Sequence, residues 1–200
     1  MPRLTRAERQ EQTRAELLQA AKARFLERGY AATSLEDIAE DAGFSKGAVY
    51  SNFGSKPALC REVLALIHHE KLGEMSRLAA TDADLSVRIG AINDWLERTA
   101  GDVGWTMLEL EFVVLSRHNP ELGEMITALR DEAAQMVVAV LRSLAEDLDP
   151  TALDDFGNLL LSAGIGLGIQ RAIDPSLSTR PVADAITRTM NLLETLGAKS

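Results

Sequence analysis

The sequence predicts an all-α protein of about nine helices. Apolar residues recur at three- and four-residue spacing through most of the chain, and the breaks between these stretches fall on Gly, Asn-Pro and Asp-Pro. No alternating run bounded as a strand occurs, and neither does an internal repeat or a low-complexity segment. A hydrophobic content of 46% supports a core, and only six prolines interrupt the chain. Aromatics make up 4%, which leaves the packing mostly to Leu, Ala, Val and Ile.

Taken in order, the chain opens on a basic segment with Arg3, Arg6, Arg9 and Arg14. Leu35, Ile38, Ala39 and Ala42 then share one face of a short helix. Thr33 and Ser34 precede it, with Glu36 and Asp37 three residues after each, a double option for a capping box. Gly43 suits the left-handed conformation that ends a helix, and Ser45 suits an N-cap for the next one. Val49 and Phe53, four apart, give that next helix a single apolar face. Two helices joined so tightly pack at a steep angle, as in a helix-turn-helix spanning 34–53. Ser55-Lys56-Pro57 opens a further helix toward Leu78, with Leu59, Val63, Leu66 and Ile67 as its stripe. Helices are expected thereafter over Leu85–Ala100, Trp105–His118, Pro120–Leu148, Ala152–Ile173 and Pro181–Leu196.

With Val49 and Phe53 turned inward, Lys46, Gly47, Ala48, Tyr50 and Asn52 remain on or near the exposed surface. A cation, two small residues that let a helix backbone approach, a hydroxyl and an amide suit a DNA groove and its phosphates. Lys56 and the N–H groups of the helix it opens add a phosphate site. The expected contact set is Thr33, Ser34, Ser45, Lys46, Gly47, Ala48, Tyr50, Asn52 and Lys56. Arg3 and Arg6 form either a minor-groove arm or a solubilising tail.

Phe25-Leu-Glu-Arg-Gly29-Tyr30, Thr33-Ser34-Leu35-Glu-Asp-Ile38-Ala39, Ala42-Gly43, Ser45-Lys46-Gly47, Tyr50, Phe53 and Ser55-Lys56 resemble the tetracycline-repressor (TetR/AcrR) family of bacterial regulators. Many members have His where this chain has Asn52, which can still meet a phosphate. The resemblance implies a DNA-binding domain over 11–71 and a ligand-binding and dimerisation domain over 72–200. It places Lys46, Gly47, Ala48 and Tyr50 at the DNA and a small-molecule pocket among the middle helices.

The net charge of −9 is unevenly distributed. Residues 1–56 hold nine Lys/Arg against eight Asp/Glu, whereas 57–200 hold twelve against twenty-two. The acidic part keeps the body off the phosphates while the near-neutral end docks through a few local cations and dipoles. One cysteine excludes an internal disulfide framework and fits a reducing cytoplasm. No apolar run of spanning length and no secretory h-region are seen, and no membrane partner is expected.

Ala152–Ile173 is apolar nearly all round, and a helix of that kind must be covered on more than one side. Gly157, Gly164 and Gly168 near one face permit close approach; Val182, Ile186, Leu193 and Leu196 stripe the final helix. A homodimer through 152–196 would cover both, and a two-fold dimer implies a palindromic double-stranded operator. Trp105, Leu108, Glu109, Phe112 and Ser116 share a face, and Trp95, Met107, Met125, Met136 and Asn158 come from neighbouring helices. The candidate pocket for an unidentified effector is Trp95, Trp105, Leu108, Glu109, Phe112, Met136 and Asn158; plain core is the competing reading. Glu109 needs a partner, either a cationic ligand or Arg98, Arg117 or Arg130.

No catalytic set, cofactor fingerprint or metal motif is found. His68 and His69 point about 100° apart on a helix, and Cys60 is expected to be a buried inert thiol. The expectation is a cytoplasmic, nucleoid-associated homodimeric repressor released by a small molecule. An activator or effector-independent regulator is the alternative, followed by an all-helical enzyme carrying a helix-turn-helix.

Overall fold

The computed structural model describes residues 5–144 and 149–197, with side chains through Met190 in the last helix. Among the described residues there are nine α-helices and no strand. They are α1 (Arg6–Ala32), α2 (Leu35–Asp41), α3 (Lys46–Phe53), α4 (Lys56–Ala79), α5 (Leu85–Thr99), α6 (Val103–Ser116), α7 (Pro120–Leu144), α8 (Pro150–Ile173) and α9 (Arg180–Gly197). Each expected helix is present, with its ends shifted by a few residues. Expectations resting on Arg3, on 145–148 and on the side chains of Leu193 and Leu196 lie outside the described residues.

The chain divides into two compact units. The first comprises Met1–Ile67 and Met107–Thr127, the second His68–Thr106 and Ala128–Ser200. Most of α6 therefore belongs with the N-terminal helices. In the first unit, Leu17, Ala21 and Phe25 of α1, Ile38 of α2, Val49 and Phe53 of α3, Leu59, Val63 and Leu64 of α4, and Leu108 and Phe112 of α6 are all buried. In the second, Leu72, Met75, Ile89, Ile92, Trp95, Val137, Leu141, Leu153 and Met190 form a contiguous core cluster.

Capping explains where the early helices begin. Thr5 and Glu8 form a capping box, with the Thr5 N–H donating to Glu8 Oε2 at 2.7 Å. This box fixes Arg6 in the first turn of α1. Of the two caps open to α2, Ser34 with Asp37 is the one used. The helix α2 ends in a Schellman motif: the Gly43 N–H donates to Glu40 O at 3.0 Å and the Phe44 N–H to Ala39 O at 2.8 Å. Gly43, at φ 73°, supplies the left-handed step that this motif requires.

Among the described residues no helix is long and apolar enough to cross a membrane, and no group of three or more His, Cys, Asp and Glu could hold a metal ion.

Candidate nucleic-acid interface

Eight residues make too short a helix to persist alone, so α3 depends on packing. Val49 and Phe53 provide it, both buried, at about 1.5–3 kcal/mol for a fully buried side chain of this size. Ser45 caps the N-terminus by accepting from the Ala48 N–H at 3.2 Å. At the other end Arg14 lies 4.5 Å over the Phe53 ring and pairs with Glu62 of α4 at 2.5 Å. α3 is thus held from α1 and α4, and its rotation is set by its two apolar residues.

That rotation exposes Ser45, Lys46, Gly47 and Tyr50, with Ala48 and Asn52 half-buried. Tyr50 is 48% exposed, unusual for an aromatic residue beside a core. Lys46 Nζ lies 5.7 Å from the Tyr50 ring and is paired with Glu36, which holds the ammonium pKa above its ordinary value. A Cβ on Gly47 would meet nothing closer than Ser45 Oγ at 3.7 Å. The protein's own packing therefore does not demand glycine there, although glycine costs a helix about 1 kcal/mol relative to alanine. Asn52 Nδ2 donates to the Ala48 carbonyl at 2.8 Å.

Two sequence expectations change at the edges of this surface. Thr33 is only 2% exposed, and its hydroxyl donates to the Gly29 carbonyl at 2.8 Å. It closes the α1–α2 corner and is withdrawn from the contact set. At the start of α4, Pro57 has no N–H, while the N–H groups of Ala58 and Leu59 go to Ser55 Oγ and Ser55 O. At most the Lys56 N–H is left for a phosphate, so the site rests on the Lys56 side chain. Ser34 remains half-buried, its hydroxyl accepting from the Asp37 N–H at 3.1 Å.

The proposed effector residues fall into different units. Leu108 and Phe112 are buried core of the first unit, which also contains the half-buried Glu109. Trp95, Trp105, Met136 and Asn158 belong to the second. Trp95 belongs to its core cluster, Met136 packs partly buried against that cluster, and Asn158 Oδ1 accepts from Arg130 at 3.0 Å. Arg98 pairs with Glu74. The Trp105 ring meets His68 edge-on at 5.9 Å, and among the described residues neither Trp95 Nε1 nor Trp105 Nε1 has a hydrogen-bond partner. Cys60 is buried, and burial pushes its thiol pKa well up, which keeps it protonated and unreactive.

Sequence reasoning missed Glu111. Its carboxylate accepts from the main-chain N–H of Tyr30 at 2.5 Å and of Ala31 at 3.2 Å. The sequence signal was Gly29, at φ 80°, which interrupts α1 and leaves the following N–H groups to find other acceptors.

An all-α fold with a capped, short, outward-facing helix after a glycine turn defines a helix-turn-helix protein. Comparison with known proteins identifies the kind. Residues 17–63 match the sequence model described as "Bacterial regulatory proteins, tetR family". The chain is 44% identical over 78 residues to the HTH-type transcriptional regulator TtgR of Pseudomonas putida, covering 38% of this chain and 37% of that protein. It is 32% identical over 136 residues to the HTH-type transcriptional regulator Mb3439c of Mycobacterium bovis, covering 64% and 68%. A putative transcriptional regulator from Rhodococcus sp. RHA1 has the same fold, with a TM-score of 0.72 at 22% identity over 91% of this chain and 96% of that one. The chain belongs to the TetR family of bacterial regulators, a class of regulatory proteins and not of enzymes. The match spans little more than a third of the length of the first of these curated relatives.

Proposed function

We propose that this chain is a sequence-specific transcriptional repressor that acts in the bacterial cytoplasm as a homodimer on a palindromic operator. The observation that carries this reading is the outer face of α3. Lys46, Gly47 and Tyr50 are exposed while Val49 and Phe53 fix the helix from beneath, and Gly47 has no internal reason to lack a side chain. A helix with a bare backbone patch beside a cation and a phenol suits a major groove. Ser34, Ser45, Ala48, Asn52 and Lys56 complete the contact set.

A near-neutral DNA-binding end gains affinity from pairing. On α8, Leu159, Gly166, Ile169 and Ile173 share a face, with Leu159 62% and Ile173 81% exposed. Among the described residues, a Cβ on Gly164 or Gly166 would meet nothing within 4 Å, whereas one on Gly157 would strike Val138 at 2.5 Å. Gly157 therefore serves the packing of α8 on α7, and the Leu159 face is the one offered to a second copy through 152–196.

The effector site is assigned to the second unit, around Trp95, Trp105, Met136 and Asn158. Two buried indole N–H groups with no partner among the described residues favour a guest with a hydrogen-bond acceptor. A differential affinity of about 1–3 kcal/mol between DNA-competent and released states gives a 5- to 150-fold change in operator affinity.

Footprinting on recovered genomic fragments, paired with sedimentation of free and DNA-bound protein, tests the proposal. Two protected half-sites about one helical turn apart and a dimer are expected. Leu159→Arg is expected to give a monomer with much weaker operator binding. A wild-type monomer in both sedimentation states rejects the reading.

A further inference from the structure

We propose that Glu111 of α6 is a positioning residue for operator binding, acting through Tyr30 on Lys56. The inference rests on the reading of Lys56 as a phosphate contact.

Tyr30 is held at three points. Glu111 accepts from its N–H at 2.5 Å and from that of Ala31 at 3.2 Å. Its ring stacks on Phe25 at 5.8 Å and takes the edge of Phe112 at 5.8 Å. The ring face then supports Lys56 Nζ, 4.2 Å from its centroid. Two consecutive residues of α6, Glu111 by the backbone and Phe112 by the ring, thus set the plane on which the first cation of α4 rests.

The backbone at this point is built for the contact. Gly29, at φ 80° and ψ 170°, breaks α1 just before Tyr30. A Cβ there would lie 2.7 Å from Glu111 Oε2, so glycine serves both the left-handed conformation and the close approach of the carboxylate. A carboxylate on two main-chain N–H groups is a charge-assisted arrangement, stronger and more directional than a neutral pair. A lysine on a flexible four-carbon stem has no fixed direction of its own. Packed on a clamped aromatic face it acquires one, through a cation–π contact and partial burial. Burial also lowers the Lys56 pKa from its ordinary value, so the ammonium is already partly stripped of water where a phosphate would meet it.

The alternative is that Glu111 merely ties α6 to the α1 corner. Charge provides the discriminating sign. Removing a carboxylate near the DNA-binding end should by electrostatics alone tighten DNA binding. Loss of positioning should weaken it.

The test uses full-length wild type, Glu111→Gln, Lys56→Met and the double variant, titrated with operator DNA over a range of salt concentrations. Glu111→Gln is expected to weaken binding about 3- to 10-fold and to lower the slope of log affinity against log salt by about one per chain, as Lys56→Met does. The double variant is expected to be little worse than Lys56→Met. Phe112→Leu, which leaves the carboxylate in place, is expected to shift the slope in the same direction and carries the test if Glu111→Gln does not fold. Unchanged or tighter binding by a folded Glu111→Gln, or additive losses, overturns the proposal while leaving Lys56 at the DNA. Lys56→Met without effect on affinity or slope overturns the Lys56 reading and the proposal with it.

Discussion

The Arg14 guanidinium lies 4.5 Å over the ring of Phe53, so the first helix grips the last residue of the recognition helix directly. Arg14 also pairs with Glu62 at 2.5 Å, which ties α1, α3 and α4 at one point. The Arg14 side chain is more than a third exposed, so the ion pair alone contributes little. The stacked contact is the larger part, and Arg14→Ala is expected to cost about 1 kcal/mol. Arg14→Lys keeps the charge but not the planar stack and should recover less than half. Urea midpoints at unchanged m-value measure both.

Gly47 makes stability and function move in opposite directions. Its surroundings accept a Cβ, so Gly47→Ala should stabilise the protein by about 0.5–1 kcal/mol. The added methyl would stand on the face proposed to meet DNA and should weaken operator binding several-fold. Thermal unfolding and operator titration of the same preparation check the pair. A loss of stability would show that Gly47 serves internal packing.

Glu36 is paired with Lys46 on the exposed surface, and under the proposed function it would compete with DNA for that ammonium. Glu36→Gln releases the ammonium and removes an acidic charge beside the groove. Operator and non-specific affinity should both rise, by about two- to fivefold at low salt, and the gain should shrink as salt is added.

Acid should loosen the first unit through its paired carboxylates. Asp41 bonds Arg24 through both of its oxygens, and this bond holds its carboxyl pKa below the usual range. Asp37, bonded to Ser34, is held down likewise. A carboxyl whose folded pKa is depressed contributes stability above its unfolded pKa of about 4, and that stability is lost as pH falls through the folded value. Asp41→Asn should therefore start less stable at pH 7 and lose less between about pH 5 and pH 2. Parallel curves for variant and wild type would remove Asp41 from the acid transition.

Where interactions are local, the sequence was sufficient. The Schellman turn at Gly43, the Ser45 cap and the inward pair Val49 and Phe53 each span no more than six residues and follow from spacing and chemistry alone. Thr33 and Ser34 show the limit, since both fit a cap at equal distance from an acid. Only the packing of the corner, which draws the Thr33 hydroxyl onto the Gly29 carbonyl, selects Ser34. The stripe drawn through Leu59, Val63, Leu66 and Ile67 missed Leu64, which is buried, and included Leu66, which is only half-buried, because the buried face of α4 is broader than one row of side chains and is turned toward Leu64. Glu111 was the least legible. It meets Tyr30 across 81 residues of chain, and nothing in the periodicity of α6 marks a carboxylate that reaches another helix's backbone. The same long-range packing assigns Met107–Thr127 to the first unit.

In the proposed function, the outer face of α3 reads a DNA sequence as one half of a symmetric pair. Recovery and sequencing of genomic fragments bound by wild type, and by a Lys46→Ala, Tyr50→Ala double variant that keeps Val49 and Phe53, tests it most directly. An enriched palindrome with half-sites about one helical turn apart is expected for wild type and is expected to be lost in the folded variant. The same palindrome recovered equally by both proteins, or no enriched sequence with wild type, would contradict it.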